Sequence, residues 1–221
     1  MLDMLPLQSN LEISMTDKQK ILIGLSLLGL GVILFMKRRE ISELASAALD
    51  EVNDELFRLS LPSSAQPYAS IIKRVSSETG MDPFILAAIG ERESRWGNAL
   101  HPRGPAGTGD NGYGHGLMQI DSRTWSSWLS SHDWTDPYTN IRKGAEILSS
   151  NMDYFAGKGL EGDEQVQAAL AAYNRGPGNV WAAIEADLSP DWGTAGGNYA
   201  SDVWARFQNW AGNFAVSLGL A

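Results

Sequence analysis

From Tyr68 to the C-terminus apolar residues recur at three- and four-residue spacing, and only a glycine-rich stretch at 104–116 breaks the pattern. That periodicity predicts helices over about 68–80, 83–95, 122–130, 138–155, 163–174, 178–186 and 199–216. Asp82-Pro83 marks one helix start, because proline at the first helical position loses only an amide that has no intrahelical partner. No alternating run is strong enough for a core strand, so at most a short hairpin is expected in the glycine-rich region. A mainly α domain over 68–221 follows.

The N-terminal part differs in kind. Ile21 to Met36 carries no charge over sixteen residues and is followed at once by Lys37-Arg38-Arg39. As a helix it spans roughly 24 Å, short of the ~30 Å hydrocarbon core, a gap that Lys20 and Lys37 can partly close by snorkelling. The length also permits a buried core helix, but apolar residues on every face suit a bilayer better. A cleavable leader fits less well, since the twenty preceding residues are long and acidic for an n-region. The expectation is a tail over 1–20 and one membrane-spanning helix over 21–36. The basic flank Lys37-Arg38-Arg39 would place the C-terminal part on the cytoplasmic side, unless translocation of a long domain overrides it.

Residues 37–67 read as an amphipathic helix followed by a linker. Ile41, Leu44, Ala48, Val52, Leu56 and Leu59 form one stripe, and Leu61-Pro-Ser-Ser-Ala-Gln-Pro67 is a linker by composition. The helix is expected to be a stalk or to pack on the main domain.

Composition excludes several function classes. There are 17 Lys+Arg against 26 Asp+Glu, a formal net charge of −9, which opposes nucleic-acid binding through a positive surface. Without cysteine there is no disulfide framework or thiolate metal site, and His101, His115 and His132 follow no ordered ligand spacing. Neither metal nor cofactor is expected.

Three segments carry chemistry. In Gly90-Glu-Arg-Glu-Ser-Arg-Trp96, Glu93 continues the stripe of Ile85, Leu86 and Ile89. A carboxyl turned towards a core loses solvation, which raises its pKa and lets it donate a proton near neutrality. Taken alone, a surface glutamate paired with Arg92 or Arg95 is the plainer reading. In the second segment Gly107, Gly109, Gly112, Gly114 and Gly116 would let backbone approach an extended ligand, although Asp and Gly are also ordinary turn residues. Asp110 and Asp121 bracket that stretch, and Leu117-Met118-Gln119-Ile120 suits a cleft wall with one amide. In the third, Ala171-Ala-Tyr-Asn-Arg-Gly-Pro-Gly178, Tyr173 and Asn174 end a small-residue helix, and Tyr173 by itself reads as a packed aromatic.

Together these blocks resemble the goose-type lysozymes, within the larger group that includes the soluble lytic transglycosylases. Glu93-Ser94 resembles the family's Glu-Ser, Gly116-Leu-Met-Gln-Ile-Asp121 its Gly-Leu-Met-Gln block, and Ala172-Tyr-Asn-Arg-Gly176 its Ala-Tyr-Asn-x-Gly block. Asn140-Ile141 with Gly144 and Leu148 matches an intervening helix, and Asn198 to Arg206 looks specifically goose-type. The resemblance implies a two-lobed lysozyme-like fold and cleavage of peptidoglycan at the β-1,4 bond between N-acetylmuramic acid and N-acetylglucosamine. It makes Glu93 the general acid, with Asp110 and Asp121 where an inverting enzyme places its base. Tyr173 and Ser94 would hold or polarise the site, and Gln119, Asn174 and Met118 would meet sugar. Both aspartates favour hydrolysis over transglycosylation. Arg175 and Pro177 depart from the small residues usual in the third block, and an insertion over 98–108 separates Glu93 from Asp110. A chitin-active hydrolase and a catalytically silent wall-binding protein are the rival readings.

The implied partners are therefore peptidoglycan strands and, through 21–36, a lipid membrane. From residue 66 onward the chain has eleven basic against seventeen acidic residues, so attraction to an anionic wall is not how it would find substrate. Tethering would raise local concentration instead. Since peptidoglycan lies outside the cytoplasm, the basic flank leaves two expectations: translocation despite that flank, or a bacteriophage protein acting from a virion or during lysis.

Overall fold

The computed structural model describes residues 38–220, with side chains from residue 43 onward. The chain divides into two units, Met1–Asn53 and Asp54–Ala221. Of the first, only the N-terminal part of helix α1 (Arg38–Ser60) is described. The expected membrane span at 21–36 lies outside the described residues; among the described ones, no helix is long and apolar enough to cross a membrane.

The second unit is mainly helical: α2 (Ala69–Thr79), α3 (Pro83–Ser94), α4 (Ser122–Ser131), α5 (Pro137–Ala156), α6 (Gly162–Arg175), α7 (Pro177–Glu185) and α8 (Tyr199–Ser217). Each bound lies within about two residues of the helix expected from periodicity. The central helix is α3. Its start is fixed by the Asp82 carboxylate, which accepts from the backbone N–H groups of Phe84 at 2.7 Å and Ile85 at 3.3 Å. Its uncharged run from Phe84 to Gly90 is buried on every side, packed against α2 and α8. Helix α5 packs on α2 and α6, completing a core that includes Ile141, Leu148, Phe155 and Leu170.

Three residues of 54–67 join this core, so of the two roles expected for the helix this part packs on the main domain, and the expected linker contributes to the core as well. Phe57, Leu61 and Ala65 are buried, whereas Leu44 and Leu59 of the expected stripe are exposed. The Phe57 ring lies 5.0 Å from Phe84 and 6.3 Å from Phe214. An aromatic ring removes roughly 150–250 Å² from water, which favours burying Phe57.

The glycine-rich stretch forms a small antiparallel sheet rather than a plain hairpin, in the order β1 (Thr108–Gly109), β2 (Gly114–His115), β3 (Ile120–Asp121). Two glycines here are closely approached by one side chain. A Cβ on Gly109 would sit 2.3 Å, and one on Gly114 2.2 Å, from Oε1 of Gln119, whose side chain lies across both strands.

Candidate active site

Glu93 occupies the last turn of α3, one turn beyond buried Ile89. It lines a cleft of about 600 Å³ together with Asp110, Gln119, Asp121, Tyr173 and Asn174. Burial raises the Glu93 carboxyl from the usual 4.5 to about 7, against the opposing pull of a Tyr199 hydrogen bond and the Arg92 charge. The surface ion pair that periodicity alone suggested for Glu93 does not form. Arg92 instead bonds Asp202 at 3.0 Å and the carbonyl of Ala195 at 2.8 Å.

The Tyr199 hydroxyl donates to Oε1 of Glu93 at 2.5 Å. Its position follows from the way α8 begins. Buried Asp191 accepts from the N–H groups of Ala200 at 2.7 Å and Ser201 at 2.9 Å, capping the first turn from a preceding loop. Arg92, through Asp202 and Ala195, ties that turn back to α3. Burial pushes the Tyr199 and Tyr173 hydroxyls well above their ordinary pKa, so both remain neutral donors.

Tyr173, near the end of α6, donates to the Met118 carbonyl at 3.0 Å. The turn holding Met118 is pinned again by Asn140 of α5. Asn140 Oδ1 accepts from Met118 N–H at 2.8 Å, and Nδ2 donates to His115 and Trp134 carbonyls, each at 3.1 Å. Gly144, one turn further along α5, must lack a side chain: its Cβ would meet Met118 Cε at 2.6 Å and the Tyr173 hydroxyl at 2.9 Å.

Ser94 and Met118, expected to touch sugar or polarise the site, are buried behind the cleft rather than lining it. The Ser94 hydroxyl donates to the Leu117 carbonyl at 2.7 Å and accepts from Gly97 N–H at 3.0 Å, joining α3 to the turn before β3. Asn174 does line the cleft, but its Oδ1 already accepts from Ala195 N–H at 2.8 Å. Gln119, with φ of 49°, donates from Nε2 to the Gly116 carbonyl at 2.8 Å.

Asp110 and Asp121 are joined by Arg123, which bonds Asp110 at 2.9 Å and Asp121 at 3.0 Å. Asp121 also caps α4, accepting from Arg123 N–H at 2.8 Å. Partial burial opposes its charge, but the Arg123 guanidinium and backbone N–H outweigh this and hold the Asp121 carboxyl below its usual range. Asp110 is exposed and makes one ion pair.

Tyr199 and Arg123 contact the acid and the aspartates, and neither carried a role in the sequence reading. Tyr199 lies in the 198–206 stretch noted for its resemblance, but 106 positions from Glu93, so no local spacing pairs them. Arg123 had a readable signal, a cation two residues after Asp121 in the first turn of a helix. Among the described residues, no three His, Asp or Glu side chains converge as a metal ion would need.

Residues 62–213 match the family model for lysozyme g. The chain is similar to lysozyme g of Struthio camelus, 37% identical over 147 residues, which is 66% of this chain and 66% of that protein. It is similar to lysozyme g of Epinephelus coioides, 36% identical over 153 residues, 64% of this chain and 73% of that protein. It also resembles the membrane-bound lytic murein transglycosylase F of Cellvibrio japonicus, 28% identical over 125 residues, 57% of this chain and 23% of that protein.

Proposed function

Since the chain belongs to the lysozyme g family, we propose that it is a muramidase, cutting peptidoglycan between N-acetylmuramic acid and N-acetylglucosamine. The observation that carries this reading is the Glu93 carboxyl, raised to about 7 in a cleft of about 600 Å³. At neutral pH a large fraction of Glu93 is protonated. It passes its proton to the glycosidic oxygen as the bond to the anomeric carbon breaks.

Hydrolysis then needs a carboxylate to activate water on the opposite face of the sugar. We assign that role to Asp110, since both aspartates pair with Arg123 but only Asp121 also caps α4. Asp121 would contribute negative charge opposite the developing oxocarbenium ion. Transglycosylation is the second reading, favoured by the similarity to a murein transglycosylase. There the muramic 6-hydroxyl attacks the anomeric carbon and ionised Glu93 takes its proton.

Delivery to the wall by a membrane anchor over 21–36, in a bacterium or a phage particle, rests on the uncharged run and its basic flank. Protease accessibility of the helical domain in spheroplasts or virions tests it.

Zymography on purified peptidoglycan tests the catalytic reading: wild type clears the gel and Glu93→Gln does not. Equal clearing by both contradicts it, and no clearing by wild type points to a silent wall-binding protein. Mass spectrometry of the products separates the two chemistries. Reducing muramic ends mean hydrolysis, and ends lighter by one water mean transglycosylation.

A further inference from the structure

Lys143, in the second turn of α5, is a buried cation with no part in the chemistry above; only 9% of the residue is exposed. The one carboxylate it pairs with among the described residues is Glu146, at 3.9 Å and half-exposed. Its Nζ lies closer to aromatic rings: 3.7 Å from the centre of Trp125 and 5.6 Å from that of Trp128. Burial lowers the Lys143 pKa against the weaker pull of Glu146. A well-packed apolar side chain often replaces a buried charge with no loss of stability, so stability alone does not call for an ammonium here. An ammonium over an indole face is attracted by the ring's quadrupole, most strongly where water is excluded.

The ring that Lys143 covers belongs to the cleft. Trp125 lines the groove that holds Glu93, Asp110 and Asp121, and Tyr173 is the other aromatic residue there. The Tyr173 hydroxyl is already bound to the Met118 carbonyl. The Trp125 backbone leaves helical values within α4 (φ −114°, ψ 26°), so the periodicity of that helix does not by itself set where the indole points. Helix α4 has no buried residue, and Trp125 and Trp128 only pack against the edge of the core. Lys143 therefore supplies, from the neighbouring helix, a fixed point for a side chain that its own helix holds loosely. A flat apolar surface in a polar cleft fits the C–H face of a pyranose, and holding it at one angle in advance spares the cost of ordering it on binding.

We propose that Lys143 is a positioning residue, whose ammonium holds the Trp125 ring at the cleft so that Trp125 stacks on a pyranose of the bound glycan. The proposal rests on the glycan-cleaving reading given above and adds to it how one wall of the cleft is kept rigid. Lys143 touches no substrate in this account and takes no part in proton transfer.

Calorimetry with soluble peptidoglycan strands tests this apart from catalysis, on the full chain carrying Glu93→Gln so that nothing is cut. Trp125→Ala is expected to weaken binding about tenfold. Lys143→Met, similar in length and uncharged, should weaken it about fivefold, and Lys143→Arg, which keeps a cation over the ring, by no more than about twofold. Lys143→Gln should behave like Lys143→Met, and serves in its place if the methionine variant does not fold. The double variant Lys143→Met/Trp125→Ala should bind no more weakly than Trp125→Ala alone, because Lys143 acts through that ring. With Glu93 intact, Lys143→Met should raise KM while kcat stays within about twofold. Unchanged affinity in the folded Lys143 variants, losses that add in the double variant, or no detectable binding of the strands would each overturn the proposal. The expected pattern of affinities in a chain whose wild type does not clear peptidoglycan would uphold it while refuting the muramidase reading.

Discussion

The Tyr199 hydroxyl donates to Oε1 of Glu93 at 2.5 Å across 106 positions of sequence, so the first turn of α8 sets the state of the acid at the end of α3. A donor to a carboxylate favours the anion, and this one opposes the burial that raises Glu93. Removing it in Tyr199→Phe is therefore expected to raise the Glu93 pKa further. The alkaline limb of the pH–rate profile on peptidoglycan should move to higher pH by up to about one unit. An unmoved limb would mean that the two groups do not communicate.

The same shift makes a stability prediction with a defined sign. Glu93 binds its proton more tightly in the folded chain than in the unfolded one, where its pKa is near the ordinary 4.5. Its stabilising contribution is thus complete below pH 4.5 and is lost as pH rises to about 7. Glu93→Gln removes the ionisable group. It should match wild type in urea denaturation at pH 4 and be more stable at pH 8, by up to roughly 3 kcal/mol. A variant less stable than wild type at pH 8 would contradict the buried, proton-holding carboxyl.

Asp191 holds the start of α8 and, through it, Tyr199. In Asp191→Ala the N–H groups of Ala200 and Ser201 lose their acceptor at a buried helix start. The expected cost is about 1–3 kcal/mol by chemical denaturation. Activity should fall by more than the unfolded fraction explains, because Tyr199 is released from Glu93.

Gly144 tests whether the Tyr173–Met118 contact is tightly packed. A Cβ there would press on both the Tyr173 hydroxyl and the end of Met118. Gly144→Ala is expected to destabilise by about 1–3 kcal/mol despite alanine's better helix propensity, and to lower kcat. A gain in stability would show that Tyr173 and Met118 yield without cost.

Much of this fold was legible in the sequence because its signals are local. Helix starts such as Asp82-Pro83 depend on a few neighbouring residues, and the apolar stripe of α3 carries Glu93 to its place. What the sequence hid depends on distant contacts. Phe57 is buried against Phe84 and Phe214, both distant from it in sequence. Ser94 and Met118 sit within the blocks that resemble the family, yet they support the cleft from behind, a distinction that proximity in sequence cannot make. Arg123 shows the intermediate case: its pairing with Asp121 is local, whereas its pairing with Asp110 depends on the small sheet that lies between them in sequence.

The central claim is that one buried carboxyl keeps its proton at neutral pH, and its titration can be followed directly. Carbon-13 NMR of the glutamate side-chain carboxyls in the full chain, with Glu93 assigned by its absence in Glu93→Gln, reads that titration. The account predicts a midpoint at about 7 for Glu93. A midpoint at the ordinary 4.5 would contradict it and remove the physical basis for Glu93 as the acid.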